Sequence, residues 1–315
     1  MLAELDPEVA RVLARLPKIE RDKMTPEDAR RASRERAALL RPRTEPVEHV
    51  AERSVSTSEG PVRVRVYTSG DARRPALVYL HGGGWVLGDL DGPDALCRTI
   101  AVHAGCVVVS VEYPLAPEHK FPAALEASYA VTRWIAEEGD SIGADPERIG
   151  VGGESAGGNL AAAIALLARD RGGPRLAFQL LLVPVLDRAF ETRSYRENAE
   201  GYGLTRAEMM WFWSHYLRAP ADADSPYASP LRATDLRGLP PALVVTAEFD
   251  PLRDEGAAYA ERLREAGVAV ELRHYRGVVH GFLPMTAEVE IARRAVDDIV
   301  HSVRATLAPQ GARVS

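Results

Sequence analysis

The feature that most constrains the fold of this chain is a short turn at residues 153–157, with the sequence Gly-Glu-Ser-Ala-Gly. The apolar residues 148–151 before it are typical of a strand, and residues 159–167 after it are typical of a helix. Such a turn between a strand and a helix holds its serine in a strained, exposed position. Gly153 and Gly157 fit because larger side chains would clash so close to the serine. Ser155, at the head of a helix that favours negative charge, is therefore the predicted nucleophile.

A second glycine-rich segment follows the strand predicted at residues 77–80. There His81 precedes three glycines, residues 82–84, which leave backbone N–H groups unshielded by side chains. Unshielded N–H groups are what an oxyanion hole requires. Taken alone, the segment is equally well interpreted as a flexible loop, but beside the serine turn the anion-binding interpretation is favoured. His81 is expected to anchor this loop by hydrogen bonding.

A carboxylate follows the buried strand predicted at residues 242–247. Asp250 lies where this strand ends, because Pro251 cannot donate to a strand ladder. Its place after the serine and before a histidine matches the chain order that serine enzymes with such a turn use. Four other carboxylates stay open as the acid: Glu248, Asp254, Glu255 and Asp187. Asp187, which also ends a predicted strand, is the best alternative.

One of the eight histidines stands out by its position in the chain. Residues 268–275 alternate like a strand, and residues 276–282 after them are predicted to form a loop. His280 lies in that loop near glycines, which let it reach across the sheet edge. His274 is the nearest rival, because strand alternation could turn its side chain to either face.

Strands and helices alternate along most of the chain, which indicates a mostly parallel sheet covered on both faces. Strand-like alternation before residue 70 suggests that the sheet begins antiparallel. The further predicted elements are a strand at 62–67, a helix at 94–104, a strand at 107–111, a helix at 123–137, a strand at 178–186 and a helix at 289–307.

Composition narrows the possible partners and cofactors. The 315 residues are 46% hydrophobic and 27% charged, as in an ordinary globular protein, and the net charge of −6 offers no basic surface for nucleic acid or an anionic membrane. No metal-binding or phosphate-binding motif occurs, so no metal or other cofactor is expected. Cys97 and Cys106 are expected to be buried thiols rather than a disulfide. Without a recognisable leader or bilayer-spanning run, the expected location is the cytoplasm.

Five segments together resemble the hormone-sensitive-lipase family of α/β-hydrolases, in particular its bacterial carboxylesterases. The matching segments are residues 81–85, 113–118, 153–158, 250–255 and 280–282. The resemblance implies an α/β-hydrolase fold, with a mostly parallel central sheet flanked by helices and a helical cap. The site residues that it implies are a triad of Ser155, Asp250 and His280 and an oxyanion hole of Gly82, Gly83 and Ala156. Glu154 departs from the Asp that much of the family carries there.

The same resemblance divides the chain around a cap. Residues 1–45, which are typical of helices, and the insertion at 188–230 would form the cap, while 46–187 and 231–315 would form the two halves of the core. The insertion carries an aromatic stripe that would otherwise be interpreted as helix packing. Because ligand pockets are mostly apolar, the predicted wall of the substrate pocket contains Trp85, Leu204 and Phe212.

The predicted function is hydrolysis of short- to medium-chain carboxylic esters through an acyl-enzyme on Ser155. An amidase or deacetylase with the same triad is an alternative. A small-molecule receptor on this fold is a second one, although receptors of this kind lose part of the triad. The expected partner is a small ester, with no nucleic acid or membrane, and a homodimer is possible.

Overall fold

Residues 4–70 and 72–307 are described by a computed structural model, and they form one eight-stranded sheet with helices on both faces. The strands are β1 (His49–Thr57), β2 (Gly60–Thr68), β3 (Arg74–Leu80), β4 (Val107–Glu112), β5 (Ala144–Glu154), β6 (Leu176–Leu182), β7 (Ala242–Phe249) and β8 (Val270–Val279). Among these residues the α-helices are α1 (Pro7–Arg15), α2 (Pro26–Ala37), α3 (Asp94–Ile100), α4 (Ala123–Glu138), α5 (Ala156–Asp170), α6 (Arg193–Glu197), α7 (Arg206–Tyr216), α8 (Arg253–Glu265) and α9 (Glu290–Leu307).

The strand order across the sheet is β1-β2-β4-β3-β5-β6-β7-β8. β1 and β2 form an antiparallel hairpin, and β2 pairs antiparallel with β4. All the remaining pairs are parallel. The prediction of a mostly parallel sheet with an antiparallel start is therefore confirmed. Parallel strands place their carboxyl ends at one edge, which is where ligands bind in sheets of this kind.

Successive residues of the central strands face opposite layers, and each layer has its own hydrophobic core. Val78 of β3 lies in a first core with Leu160, beneath α4, α5 and α8. Its neighbour Leu77 lies in a second core with Ile299, beneath α1, α3 and α9. Because both faces are covered, the strands are nearly continuous apolar runs rather than alternating ones.

Two predicted strand boundaries are wrong, and both bear on the site. β6 ends at Leu182 instead of residue 186, because Val183 adopts φ +40° and Pro184 has no N–H for the ladder. Asp187 therefore lies in a loop and not at a strand end. β8 continues to Val279, so His280 follows the strand directly instead of lying inside a longer loop.

The first two helices each begin at a proline that follows a capping side chain, Asp6 for α1 and Thr25 for α2. Asp6 accepts the N–H of Glu8 at 2.8 Å, and Pro7 is the first residue of α1. Val9 of α1 is buried in the second core, and the N–H of Asp6 donates to Gly277 O at 2.9 Å. The N-terminal segment is thus held against the end of β8.

Two further expectations concern the thiols and the membrane. Cys97 and Cys106 are both free and buried, which confirms the prediction of two buried thiols. Burial raises the pKa of the Cys106 thiol to about 12. Across residues 4–70 and 72–307, we find no helix with the length and apolar character needed to cross a bilayer.

Candidate active site

Ser155 lies in a backbone conformation that few residues adopt. Its φ is +56° and its ψ is −116°, between the end of β5 and the start of α5. A Cβ atom placed on Gly157 would lie 1.9 Å from Leu80 O, and one on Gly153 would lie 2.5 Å from the Gly157 carbonyl carbon. The backbone around the serine is therefore too closely packed for any side chain at these two positions. The Ser155 N–H donates to Leu182 O at 2.8 Å, which fixes the turn to β6.

Three side chains from distant parts of the sequence meet at this turn. His280 Nε2 lies 2.9 Å from Ser155 Oγ, and His280 Nδ1 lies 2.7 Å from Asp250 Oδ2. Asp250 is fully buried, and its other oxygen accepts the N–H of Leu252 at 2.8 Å. A carboxylate that accepts from Nδ1 favours the imidazole tautomer whose Nε2 can take the serine proton.

The charge balance around His280 favours its protonated form. Burial lowers the pKa of His280, but the charge of Asp250 and the hydrogen bond to it outweigh burial, so the pKa is raised overall. The carboxylates of Glu154 and Glu208 act in the same direction. The imidazolium that forms when a serine is deprotonated is thus stabilised in advance.

The glycine loop after β3 passes directly beside the serine. A Cβ on Gly82 would lie 3.5 Å from Ser155 Cβ, and Gly83 adopts φ +121° with no room for a Cβ next to Leu87 O. Within the described residues, the N–H groups of Gly82, Gly83 and Ala156 donate to no other protein group. Three backbone donors near one hydroxyl can together bind a negatively charged oxygen.

His81 lies at the base of this loop. Its Nδ1 is 2.8 Å from Gly82 O, and its ring stacks on Tyr113 with 4.2 Å between the centroids. The Tyr113 hydroxyl donates to His81 O at 2.8 Å. These contacts agree with the predicted anchoring role of His81.

The other candidates for the acid and the histidine of the triad make contacts away from Ser155 and His280. Asp187 accepts from Arg232 at 2.7 Å, and His274 Nδ1 lies 3.1 Å from Thr246 Oγ1. The remaining rivals accept backbone N–H groups: Asp254 from Ser194, Glu255 from Leu186 and Asp187, and Glu248 from Gly277. Each of these carboxylates therefore holds the surrounding backbone instead of the imidazole of His280.

The three residues predicted for the pocket wall differ in exposure. The Phe212 ring lies so close to Gly84 that a Cβ there would be 2.2 Å from it. Trp85 is fully buried and stacks on Tyr216 with 4.1 Å between the centroids. Leu204 is half-buried against the first core. The structure thus brings Trp85 and Phe212 to the contact between the glycine loop and α7, and the substrate contact of all three residues stays a prediction.

Two residues near the site were not predicted from the sequence. Asn198, which is buried, donates from its side-chain amide to Asp250 O at 3.2 Å, and no motif marks it. Glu208 is almost completely buried in α7 and pairs with Arg21 at 2.7 Å. Its place three residues after Thr205 fits a helix capping box, which a search for that pattern would have found.

In the part of the chain that the structure describes, no cluster of three His, Cys, Asp or Glu side chains is placed to bind a metal.

Known proteins share this architecture and much of the sequence. The sequence profile of the α/β hydrolase fold family matches residues 77–284. The carboxylic ester hydrolase LipN of Mycobacterium tuberculosis is 44% identical over 265 residues, which are 82% of this chain and 70% of LipN. Esterase LipI of the same organism is 40% identical over 310 residues, which are 96% of this chain and 95% of LipI.

Similarity extends to solved structures. A thermostable esterase from Pseudomonas putida superposes with a TM-score of 0.93 at 38% identity, covering 98% of this chain and 99% of that one. The matched profile spans the glycine loop after β3, the serine turn and His280, and the two relatives match over most of the chain. The chain therefore belongs to the α/β-hydrolase fold family, in its hormone-sensitive-lipase branch of bacterial carboxylesterases.

Proposed function

We propose that this protein hydrolyses carboxylic esters through an acyl-enzyme on Ser155. The observation that carries the proposal is the continuous hydrogen-bonded chain from Ser155 Oγ through His280 to Asp250, at 2.9 and 2.7 Å. The relatives with ester hydrolase and esterase names support the same reaction class. The chemistry needs no group from outside the chain except the ester and water.

In the first half of the reaction, His280 Nε2 takes the proton of Ser155 as Oγ attacks the ester carbonyl carbon. Asp250 holds the imidazole orientation and stabilises its charged form. The carbonyl oxygen becomes negatively charged and would accept from the N–H groups of Gly82, Gly83 and Ala156. His280 then gives its proton to the departing alcohol oxygen, and the C–O bond breaks to leave the acyl-enzyme.

In the second half, a water molecule replaces the alcohol. His280 accepts a proton from the water as the water oxygen attacks the acyl carbon. The N–H groups of Gly82, Gly83 and Ala156 would again bind the oxyanion. Collapse of this intermediate returns the proton to Ser155 Oγ and releases the carboxylic acid. Loss of one oxyanion donor typically lowers the rate roughly 100- to 1,000-fold.

The substrates are proposed to carry short- to medium-length acyl chains, with Trp85, Leu204 and Phe212 in the pocket wall. Each added CH₂ gains about 0.8 kcal/mol until the wall is reached. We expect the best substrates to have roughly four to eight acyl carbons, the range that fits a typical ligand pocket of a few hundred cubic ångströms.

The proposed cap consists of the N-terminal residues 1–45 and the insertion at 188–230. The ion pair between Arg21 and Glu208 supports this division, because it joins the two segments.

We also propose a homodimer. β8 is the last strand in the sheet order, and an edge strand offers unpaired backbone groups to a second copy. Light scattering coupled to size-exclusion chromatography measures the oligomeric state.

We further propose a cytoplasmic location, which agrees with the free thiols of Cys97 and Cys106. Cell fractionation tests this location.

The test of the function is a series of p-nitrophenyl esters from acetate to palmitate, with matched anilides. The wild type should cleave short esters rapidly, and Ser155→Ala should lose activity by roughly a million-fold. Ser56→Ala, at an exposed position of β1, is the matched control and should stay active. Faster cleavage of the anilides would indicate an amidase, and binding without turnover would indicate a receptor. A rate that keeps rising to palmitate and jumps at an oil–water interface would indicate a lipase.

A further inference from the structure

Glu154, next to the proposed nucleophile, points into a cavity that the reaction described above does not use. It is the last residue of β5, so its side chain and that of Ser155 leave the backbone in different directions. The cavity has a volume of about 40 Å³. Its lining includes Arg43, Tyr79, Leu96, Glu154, Leu283 and Thr286. The last two residues belong to the segment that follows His280 in the chain, so this segment forms one wall of the cavity.

The polar groups in this cavity lack protein partners. Within the described residues, the Glu154 carboxylate has no hydrogen-bond or ion-pair partner. The Tyr79 hydroxyl, on a fully buried side chain, has no partner either. A polar cavity needs about 10–15 Å³ to hold one water molecule, so this one has room for more than one. Burial raises the pKa of the Glu154 carboxyl, and the charge of His280 opposes that rise. Water in the cavity, with Arg43 in its lining, can solvate the ionised carboxylate.

Glu154 lies close to the backbone that carries the histidine. A Cβ on Gly281 would lie 4.0 Å from Glu154 Oε1. The carboxylates that raise the pKa of His280 are those of Asp250 at the end of β7, Glu154 at the end of β5 and Glu208 of α7. Arg21 neutralises Glu208, and Asp250 is bound directly to the ring. Glu154 is therefore the carboxylate near His280 that is bound neither to the ring nor to a base, with Arg43 and Tyr79 as its neighbours across the cavity.

From this arrangement we propose that Glu154 is a second positioning carboxylate for His280, which stabilises the imidazolium from beneath its turn without touching the substrate. The proposal rests on the proposed ester hydrolysis, because the imidazolium forms only when His280 acts as the base. Glu154 takes no proton from the ring. Its negative charge acts through space on the charge that develops there, while Asp250 fixes the tautomer.

The direction of the effect follows from electrostatics. Removal of a negative charge near an imidazolium destabilises that form and lowers the pKa of His280. The neutral imidazole, which is the active base, then persists to lower pH. In Glu154→Gln the acid limb of the kcat/KM profile should therefore move to lower pH, by roughly 0.5 to 1 unit. Coulomb's law gives this range for unit charges several ångströms apart in a medium between protein and water.

The experiment compares the pH profiles of wild type, Glu154→Gln and Glu154→Asp on p-nitrophenyl butyrate, with Tyr79→Phe as the matched cavity control. Aspartate keeps the charge and should keep the wild-type limb, and Tyr79→Phe, which removes only a hydroxyl, should do the same. Labelling of Ser155 by a p-nitrophenyl phosphonate counts intact sites in each variant. The proposal would be overturned if the acid limb of the kcat/KM profile stayed in place in Glu154→Gln. It would also be overturned if that limb moved by the same amount in Glu154→Asp.

The outcomes separate this proposal from the function on which it rests. If wild type and Glu154→Gln both label at Ser155 and hydrolyse the ester with the same limb, the function stands and the role of Glu154 is wrong. If Ser155 is not labelled and the ester is not cleaved, the function itself is wrong. Should Glu154→Gln fail to fold, as thermal unfolding would reveal, Glu154→Ala takes its place and the same downward shift is required of it.

Discussion

At the scale of single residues, the turn around Ser155 depends on the absence of side chains on either side of it. A methyl group at Gly157 would meet the carbonyl oxygen of Leu80 at 1.9 Å, which neither β3 nor the turn can relieve without moving backbone. We expect Gly157→Ala to destabilise the fold by about 3 kcal/mol or more, at the upper end for overpacked sites, and to abolish activity. Gly92→Ala is the control, because its nearest neighbour would lie 3.9 Å away. Urea unfolding measures both, and an active, fully stable Gly157→Ala would contradict the geometry.

The acidic residue of the proposed triad can be identified by the side chain that it contacts. Asp250 contacts His280, whereas Asp187 pairs with the partly exposed Arg232. Asp250→Asn should therefore lower kcat roughly ten-thousand-fold, since an amide favours the wrong tautomer, and it should leave folding intact. Asp187→Asn and Asp254→Asn should each cost little activity. A crippled Asp187→Asn beside a mild Asp250→Asn would show that the assignment is wrong.

At the scale of elements, α7 meets the glycine loop through aromatic rings. Phe212 lies against Gly84, and its neighbour two positions earlier, Met210, is 48% exposed. Because Phe212→Ala removes bulk where the pocket wall is proposed, it should shift the preferred acyl length upward by several carbons. Met210→Ala, on the outer face of the same helix, should leave the preference unchanged. The p-nitrophenyl ester series gives kcat/KM for both, and identical profiles would remove Phe212 from the wall.

The Arg21–Glu208 pair connects the N-terminal segment to α7. The Glu208 side chain is 1% exposed and that of Arg21 is 18% exposed, so loss of the arginine would leave a buried carboxylate without its partner. We expect Arg21→Ala to lower the free energy of unfolding by about 2–4 kcal/mol. Lys23→Ala, in an exposed pair with Glu20, should leave the free energy of unfolding essentially unchanged. Equal effects in the two variants would mean that the Arg21–Glu208 pair contributes nothing special.

At the scale of the whole molecule, the two thiols report on the integrity of the second core. Cys97 and Cys106 both lie in that core and are at most 1% exposed. We expect no reaction with a chromogenic disulfide reagent in the native protein and two reactive thiols after denaturation in guanidinium. The native rate should follow global unfolding. Rapid labelling of either thiol under native conditions would instead reveal local opening around α3 and β4.

Local sequence alone was sufficient for those parts of the molecule that neighbouring residues control. A proline after a capping side chain marks the starts of α1 and α2, and glycines on both sides of Ser155 predicted the tight turn. Apolar runs between loops predicted a parallel sheet. Each of these signals acts within a few residues, so no knowledge of the fold is needed to interpret it.

Tertiary structure decided which of several equivalent side chains would meet. Ser155 and His280 are 125 residues apart in the chain, and four other acidic residues competed with Asp250 until the sheet order was known. Because β6 ends at Leu182, Asp187 lies in a loop and not at the predicted strand end. No sequence pattern indicates the contacts of Asn198 or the cavity beside Glu154. Contacts of this kind depend on strand order and close packing over long separations, which no local propensity encodes.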